Sequence, residues 1–250
     1  MASQKILITG ATGFLGTNLQ EYLALTFPGE YEIYAYNSKS DPRELCAYTN
    51  DCDFVFHFAA VHRPPDVLEF SRVNVDLFAL LLQNLEENKN PAPVLYTSSV
   101  QACDDSPYGH SKVRAEELLE QHCKTAGSAG MVYRLTNTFG PHARPNGHSV
   151  VATFCHNINR NLPIQVNNPA HVMRLYYIGD VIDHFIENLR TPPTGFQKCS
   201  LSEDLICPIT LQQLAQKLQD FHAADNCGAQ PLLANAFDQK LYHTFKSYKE

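Results

Sequence analysis

The stretch Lys5–Gly16, with the sequence KILITGATGFLG, joins a short apolar run to a turn that contains three glycines. Apolar residues then recur at helical spacing from Leu15 to Leu23. In a strand–turn–helix unit, Gly10 permits the tight turn, Gly13 lets phosphates approach, and Gly16 lets the helix lie close to the strand. Such a turn brings backbone N–H groups and a helix N-terminus to a pyrophosphate. The stretch therefore predicts a dinucleotide site.

Further along the chain, apolar runs alternate with helical patterns. The later runs that read as buried strands are Glu32–Tyr36, Asp53–Ala60, Val94–Thr97 and Met131–Leu135. Helical patterns cover Asp66–Asn84 and Pro107–Lys124, whereas only the short segment Asp41–Cys52 separates the second run from the third. This alternation predicts an α/β fold, a Rossmann-like doubly wound parallel sheet.

The regular alternation ends after Pro141. Beyond it we predict helices at Ser149–Asn159, Val181–Asn188, Thr210 to about Phe221 and Asn235–Tyr248, and a return strand at Tyr176–Ile178. We expect a dinucleotide-binding domain made of residues 1–140 and about 172–190. Residues 141–171 and 191–250 would then form a smaller C-terminal substrate-binding lobe that closes over a substrate.

A proton-transfer site is indicated where the fourth predicted strand leads into a helix. Ser106 is a favourable N-cap and Pro107 suits the first helical turn. Tyr108 and Lys112 are four residues apart, so they share one helix face, and Ser99 supplies a hydroxyl from the strand end. The lysine should favour the phenolate. Moving a tyrosine pKa from about 10 towards 7 takes roughly 4 kcal/mol, which this cation and a bound cofactor could supply. A surface Tyr–Lys pair without function is the alternative.

Composition excludes several classes of function. The 250 residues carry a net charge of -7 without a run of Lys or Arg, which argues against nucleic acid and against a membrane surface as partners. The most apolar segment, Leu77–Leu85, is too short to span a bilayer, and no secretory signal pattern opens the chain. The eight cysteines form no CxxC pair and the eleven histidines show no ligand spacing. We expect reduced thiols, a cytoplasmic protein and no metal.

The end of the second predicted strand bears on the choice of coenzyme. An Asp or Glu there would bond the ribose 2′-hydroxyl of NAD, but this chain has Asn37, Ser38 and Lys39, with no acid before Asp41. These side chains suit a 2′-phosphate better than a carboxylate would. The sequence therefore favours NADP (NADPH) over NAD.

Taken together, these motifs resemble the extended short-chain dehydrogenases/reductases of the NAD-dependent epimerase/dehydratase family. The resemblance rests on the three-glycine turn, His57–Ala60, Ser98–Ser99, the Tyr108/Lys112 pair and Arg134–Pro141. Within that group, Pro145–Cys155, Gln165–Asn167 and Leu241–Tyr248 resemble the reductase domain of capsule and O-antigen enzymes that help to make UDP-N-acetyl-L-fucosamine. Family members often carry Arg where this chain has Asn37–Lys39.

The resemblance implies roles for individual residues. It implies that Ser99, Tyr108 and Lys112 are catalytic, because the last hydroxyl of the run Thr97–Ser99 is the catalytic one in this superfamily. The implied cofactor contacts are Gly10, Thr12, Gly13, Phe14, Leu15, Gly16, Asn37, Lys39, Phe58, Ala59, Ala60, Tyr108, Lys112 and Leu135. The implied substrate contacts are Arg63, Gln101, Asn137, Ser149 and Val150.

The resemblance also implies an activity and an assembly. The expected activity is NADPH-dependent reduction of the 4-keto group of a UDP-hexosulose, with a nucleotide sugar as the small-molecule partner and a homodimer as the assembly. In the related enzymes a C-terminal zinc-binding cupin follows, and we expect that domain to be absent from this chain. A 4-epimerase that retains NAD and a non-catalytic regulator that senses NADP remain alternatives. A 4,6-dehydratase is less favoured, because Val100 and Gln101 after Ser99 cannot act as acid or base.

Overall fold

The computed structural model describes residues 3–147 and 149–249, and the chain divides into two compact units. The first unit contains the residues up to Leu135 together with Ile182–Leu201. The second contains Thr136–Val181 and the residues from Ser202 onward. Helix α7, Ile178–Arg190, runs from the second unit into the first.

A six-stranded parallel sheet forms the centre of the first unit. Its strands, in spatial order, are β2 (Tyr31–Tyr36), β1 (Gln4–Thr9), β3 (Phe54–His57), β4 (Val94–Ser99), β5 (Gly130–Leu135) and β8 (Phe196–Cys199). The central strands are buried along nearly their whole length, as expected for parallel strands covered by helices on both faces. The predicted doubly wound α/β fold is confirmed.

Helices connect these strands. They are α1 (Phe14–Thr26), α2 (Pro42–Asp51), α3 (Leu68–Ser71), α4 (Leu77–Glu87) and α5 (Pro107–Ala126). A π-helical segment, Arg72–Asp76, joins α3 to α4, and a 3-10 turn, Val100–Cys103, follows β4. Helix α5 begins as predicted, because the Ser106 side chain accepts a hydrogen bond from the Gly109 amide and Pro107 occupies the first helical position.

Two connections differ from the sequence-based expectation. The segment between β2 and β3 contains the ten-residue helix α2, whose N-cap Asp41 accepts from the amide of Arg43. Strand β8 lies within residues 191–250, which we expected in the lobe, yet it pairs with β5 in the large sheet. Strand pairing across a long stretch of sequence depends on tertiary contacts that local patterns do not encode.

The second unit has its own small sheet and its own core. Strands β6 (Thr138–Phe139), β7 (Val172–Tyr177) and β9 (Cys207–Thr210) form the sheet, and its helices are α6 (Val150–Asn159), α8 (Leu211–Asn226) and α9 (Ala236–Lys246). A 3-10 turn spans Glu203–Leu205. Helix α8 starts with a capping box between Thr210 and Gln213, and its apolar face packs with those of α6 and α9 around Phe245.

Candidate active site

The glycine turn lies where β1 meets α1, and its geometry suits close contact with a phosphate. Gly10 has φ +68°, and a Cβ at this position would lie 2.8 Å from the amide nitrogen of Ala59. A Cβ at Gly16 would lie 2.5 Å from the carbonyl oxygen of Gly10. Gly13 is the N-cap of α1 and brings no side chain of its own to the first-turn N–H groups. These observations fit a dinucleotide pyrophosphate bound at the turn.

The other residues predicted around this turn lie at or near the surface. Thr12 is exposed, while Phe14 and Leu15 are half-buried in the first turn of α1. Gln20, which the sequence analysis did not single out, donates hydrogen bonds from Nε2 to the carbonyl oxygens of Ala11 (2.7 Å) and Gly16 (3.0 Å). This side chain therefore holds the turn against the helix.

After β2 the chain makes a polar turn. Asn37 Oδ1 accepts from the amide of Lys39 at 2.9 Å, and Ser40 Oγ accepts from the amide of Asn37 at 3.2 Å. The Lys39 side chain is exposed. Arg43, a second basic group just beyond this turn, pairs with Asp41 through its Nη2 at 2.6 Å. No carboxylate stands directly after the strand, which leaves the turn suited to an anion.

The end of β3 approaches the glycine turn. The amides of Phe58 and Ala59 donate to the carbonyl and hydroxyl oxygens of Thr9, at 3.2 Å and 3.3 Å. Ala60 is exposed just beyond. Leu135, the remaining predicted cofactor contact, lies at the end of β5 opposite Ser99. These predicted cofactor residues thus lie at the carboxyl ends of β2, β1, β3 and β5, the edge of the sheet where ligands bind in such folds.

The three predicted catalytic residues lie together at the carboxyl end of β4. Lys112 is 3% exposed, and its Nζ donates to the Thr97 carbonyl oxygen at 3.0 Å. The same ammonium lies 5.7 Å from the centre of the Tyr108 ring. The Ser99 hydroxyl accepts from the Gln101 amide at 3.1 Å, and this hydroxyl acts to lower the pKa of the Tyr108 phenol. This arrangement can pass a proton from the phenol to an oxygen held beside Ser99.

The acid strengths at this site are set mainly by burial. Burial raises the pKa of Tyr108, and the hydrogen bond with Ser99 opposes that rise. Lys112 is not among the groups that shift this pKa, so the expectation that the lysine and a bound cofactor favour the phenolate stays a prediction. Burial lowers the pKa of Lys112 to about 8, and the charge of Glu116 opposes this shift. The low dielectric therefore disfavours both charged forms.

Ser98 points away from this cluster, as the alternation of strand side chains predicts. Its hydroxyl donates to Glu116 Oε1 at 2.5 Å in the interior. Ser99, the next residue, acts on the Tyr108 phenol by lowering its pKa. That Ser99 and not Ser98 serves the site stays a prediction.

His62 is a site neighbour that the sequence analysis missed. Its ring meets the Tyr108 ring edge-on, with centroids 4.5 Å apart, and its Nε2 bonds Gln101 Oε1 at 2.8 Å. Gln101, a predicted substrate contact, is thereby tied to the loop after β3. Arg63, the next predicted contact on that loop, is exposed. A lone histidine in a loop carries no local signal that would have identified it.

The remaining predicted substrate contacts lie in the second unit. Ser149 caps α6 by accepting from the Ala152 amide at 3.2 Å, and Val150 packs against the core of that unit. Asn137 is exposed, and its carbonyl oxygen accepts from the amide of Tyr176 at 2.9 Å. His148, which belongs to the motif used for the resemblance, lies outside the described residues. Among the residues that the structure describes, no group of His, Cys, Asp or Glu could hold a metal ion.

Comparison with known proteins identifies the protein family to which this chain belongs. The model of the NAD dependent epimerase/dehydratase family matches residues 6–198, and the chain belongs to that family. Among curated proteins the chain is similar to the UDP-2-acetamido-2,6-beta-L-arabino-hexul-4-ose reductase of Pseudomonas aeruginosa, with 36% identity over 244 residues. The match covers 98% of this chain and 64% of the relative, so the chain spans slightly less than two thirds of that protein.

Solved structures give the same picture. The capsular polysaccharide assembling protein CapF from Staphylococcus aureus matches with a TM-score of 0.85 and 32% identity, over 99% of this chain and 65% of CapF. RMD from Pseudomonas aeruginosa, solved with NADPH, matches with a TM-score of 0.78 and 20% identity over 99% of both chains, which is a likeness of fold. The resemblance that we inferred from the motifs is confirmed.

Proposed function

We propose that this chain is a NADPH-dependent reductase of the 4-keto group of a UDP-linked 2-acetamido-2,6-dideoxyhexulose, used to make a cell-surface polysaccharide sugar. The observation that carries the proposal is the convergence of Ser99, Tyr108 and Lys112 at the end of β4. It is supported by the similarity of nearly the whole chain to a protein named as a reductase of such a sugar.

In the proposed reaction a bound nicotinamide supplies the hydride that adds to the carbonyl carbon. Tyr108 donates its phenolic proton to the carbonyl oxygen, so that the ketone becomes a secondary alcohol and a tyrosinate remains. Ser99 orients the carbonyl by hydrogen bonding, and the Lys112 ammonium stabilises the tyrosinate until solvent returns a proton. The raised pKa of Tyr108 in the free chain keeps the phenol protonated, as an acid catalyst requires.

The coenzyme is proposed to be NADP rather than NAD. Asn37 and Lys39 stand where a carboxylate would repel a 2′-phosphate, and Arg43 adds a second exposed basic group nearby. The preference should be modest, because Lys39 is exposed and a solvated charge pair is worth at most about 1 kcal/mol.

Arg63 and Gln101, on the loops that follow β3 and β4, are proposed contacts of the nucleotide sugar. For Asn137, Ser149 and Val150, which belong to the second unit, a role in substrate binding stays a prediction.

We further propose a cytoplasmic homodimer. All eight cysteines are free thiols, as is usual in reducing compartments, and no helix in the described part of the chain is long and apolar enough to cross a membrane. For the dimer, α4 and α5 supply candidate surfaces, with Leu80 exposed and Leu77 and Leu118 half-buried. A monomer in sedimentation at tens of micromolar protein would contradict the dimer.

One assay tests the activity. The purified chain is mixed with NADPH and a UDP-linked 2-acetamido-2,6-dideoxyhexos-4-ulose, and NADPH absorbance and sugar products are followed. Stoichiometric loss of NADPH with formation of the 4-hydroxy sugar is expected. Protein that retains NAD through purification and interconverts 4-epimers without consuming added coenzyme would instead be an epimerase. Protein that binds NADPH but turns over no sugar would fit the regulator.

A further inference from the structure

Behind the catalytic cluster lies a buried carboxylate, Glu116, one helical turn after Lys112 on α5. It is 3% exposed and accepts hydrogen bonds from two strands. Ser98 of β4 donates to its Oε1 at 2.5 Å. Arg134 of β5 binds both oxygens, with Nε 2.8 Å from Oε1 and Nη2 2.7 Å from Oε2. Lys198 of β8 lies 3.5 Å from Oε2. One side chain of the helix thus contacts three adjacent strands.

This contact fixes which serine faces the phenol. Consecutive strand side chains point to opposite faces of the sheet, so holding the Ser98 hydroxyl on Glu116 leaves Ser99 on the face of Tyr108. The bidentate ion pair between Glu116 and Arg134 restricts the relative orientation of the two side chains. It ties the helix that carries Tyr108 and Lys112 to the neighbouring strand.

Glu116 also provides negative charge close to a buried cation. Around the Lys112 ammonium lie the Tyr108 ring from the same helix and the Tyr96 ring and Thr97 carbonyl from β4. His57 of β3 lies beside the Tyr96 ring, with centroids 5.8 Å apart. His57 is fully buried, and its pKa is lowered to about 3, so it is neutral at physiological pH. The anion acting on Lys112 is Glu116, which is itself flanked by Arg134 and Lys198.

We propose that Glu116 is a positioning residue of this site: its carboxylate sets the register of β4 against α5, with Ser99 towards Tyr108, and balances the positive charge of Lys112. The statement about catalysis rests on the proposed reductase function. The statements about charge and geometry concern the ligand-free chain and can be tested without turnover.

The central test is Glu116→Gln, which keeps the length and the hydrogen-bonding capacity but removes the charge. NMR titration of the lysine side chains in the ligand-free protein, with the Lys112 signal assigned from Lys112→Arg, should show its midpoint lowered by about one pH unit. The alkaline limb of kcat should move in the same direction. The matched control is Glu117→Gln, the next residue on α5, which is exposed and pairs with Arg114. It should leave both measurements unchanged.

Two further variants separate charge from geometry. Glu116→Gln combined with Arg134→Gln removes both charges and should return the Lys112 midpoint towards that of the parent. Glu116→Asp keeps the charge but shortens the reach, so it should leave that midpoint near its parent value while kcat falls at least tenfold with KM little changed. The double variant also provides a neutral pair if Glu116→Gln alone does not fold.

The proposal is overturned if the Lys112 midpoint in Glu116→Gln equals that of the Glu117→Gln control. It is also overturned if Glu116→Asp retains full kcat, since the reach of the side chain would then be irrelevant. Failure of the proposed reductase function would give a different result, because neither the parent protein nor any variant would then reduce the sugar. The titration would still decide whether Glu116 balances the charge of Lys112.

Discussion

The Lys112 ammonium, buried within α5, donates a 3.0 Å hydrogen bond to the Thr97 carbonyl oxygen of β4. This bond joins the helix that carries the Tyr108 phenol to the strand that carries Ser99, the proposed catalytic hydroxyl. It also leaves the ammonium in an environment that lowers its pKa to about 8. The site is therefore held in place by a group whose own charge is costly to bury.

The cost of burying the Lys112 charge should make the stability of the protein depend on pH. Between the folded pKa of about 8 and the ordinary value of 10.5, the unfolded chain binds more protons at Lys112 than the folded chain does. The free energy of unfolding should therefore rise with pH in this window, and the full penalty applies below it. Lys112→Met should stabilise the protein at pH 7 by on the order of 1–3 kcal/mol, and the gain should shrink as the pH rises from about 8 towards 10.5. Urea unfolding of both proteins at several pH values measures it.

The prediction for Lys112→Met depends on a difference between two proteins, so other groups that titrate in the same range cancel. A gain in stability that is the same at pH 7 and pH 10 would contradict the account of burial. The variant should also lose reductase activity, since it removes the cation beside Tyr108.

Tyr108→Phe should abolish the acid while leaving coenzyme binding nearly unchanged. The ring would still pack against His62 and Phe70, so only the hydroxyl is lost. NADPH affinity by fluorescence titration and kcat with the keto sugar separate the two effects. Loss of both in parallel would mean that the phenol serves binding more than chemistry.

Ser99→Ala should lower kcat by about 10²–10³-fold, the scale for losing one polarising donor. Ser98→Ala should lower it much less, because that hydroxyl bonds Glu116 and does not face the phenol. Steady-state kinetics of the two variants under identical conditions give the comparison. Equal losses of kcat, or a larger loss for Ser98→Ala, would show that the assignment of Ser99 as the catalytic serine is wrong.

Lys39→Glu should reduce the preference for NADPH over NADH by about fivefold at low salt, equivalent to roughly 1 kcal/mol. The effect should weaken as salt is added, because the side chain is exposed. The ratio of kcat/KM for the two coenzymes is the measurement. An unchanged ratio would show that Lys39 does not bind the 2′-phosphate. Arg43 would then be the next basic residue to substitute.

Gly10→Ala should destabilise the protein more than Gly29→Ala. Both glycines have positive φ, +68° and +82°, where a non-glycine residue costs on the order of 1–3 kcal/mol. A Cβ at Gly10 would also meet the Ala59 amide at 2.8 Å, whereas nothing lies within 4 Å of one at Gly29. The difference between the two variants in the free energy of unfolding, measured in urea, gives the cost of the steric clash at Gly10. Equal losses of stability would argue against a tight turn there.

Several features of this protein followed from the sequence because their causes are local. The glycine turn depends on the positive φ at Gly10, a local backbone conformation that glycine adopts readily. The Tyr108/Lys112 pair depends on the helical repeat that Ser106 and Pro107 start. The register of Ser98 and Ser99 depends on strand alternation. Helix α2 could have been found by the same reasoning, since Asp41 and Pro42 are a standard helix start.

Other features were decided only by the tertiary structure. The pairing of β8 with β5 brings Lys198 to Glu116 across a long separation in sequence, and the Arg134 contact likewise joins a strand to a helix. The direction of the Tyr108 pKa shift depends on how much water the fold removes from the phenol. The sequence shows which residues can carry a charge. The free energy of holding that charge in the folded protein depends on the water and the side chains around it. Those are fixed only when distant segments pack together.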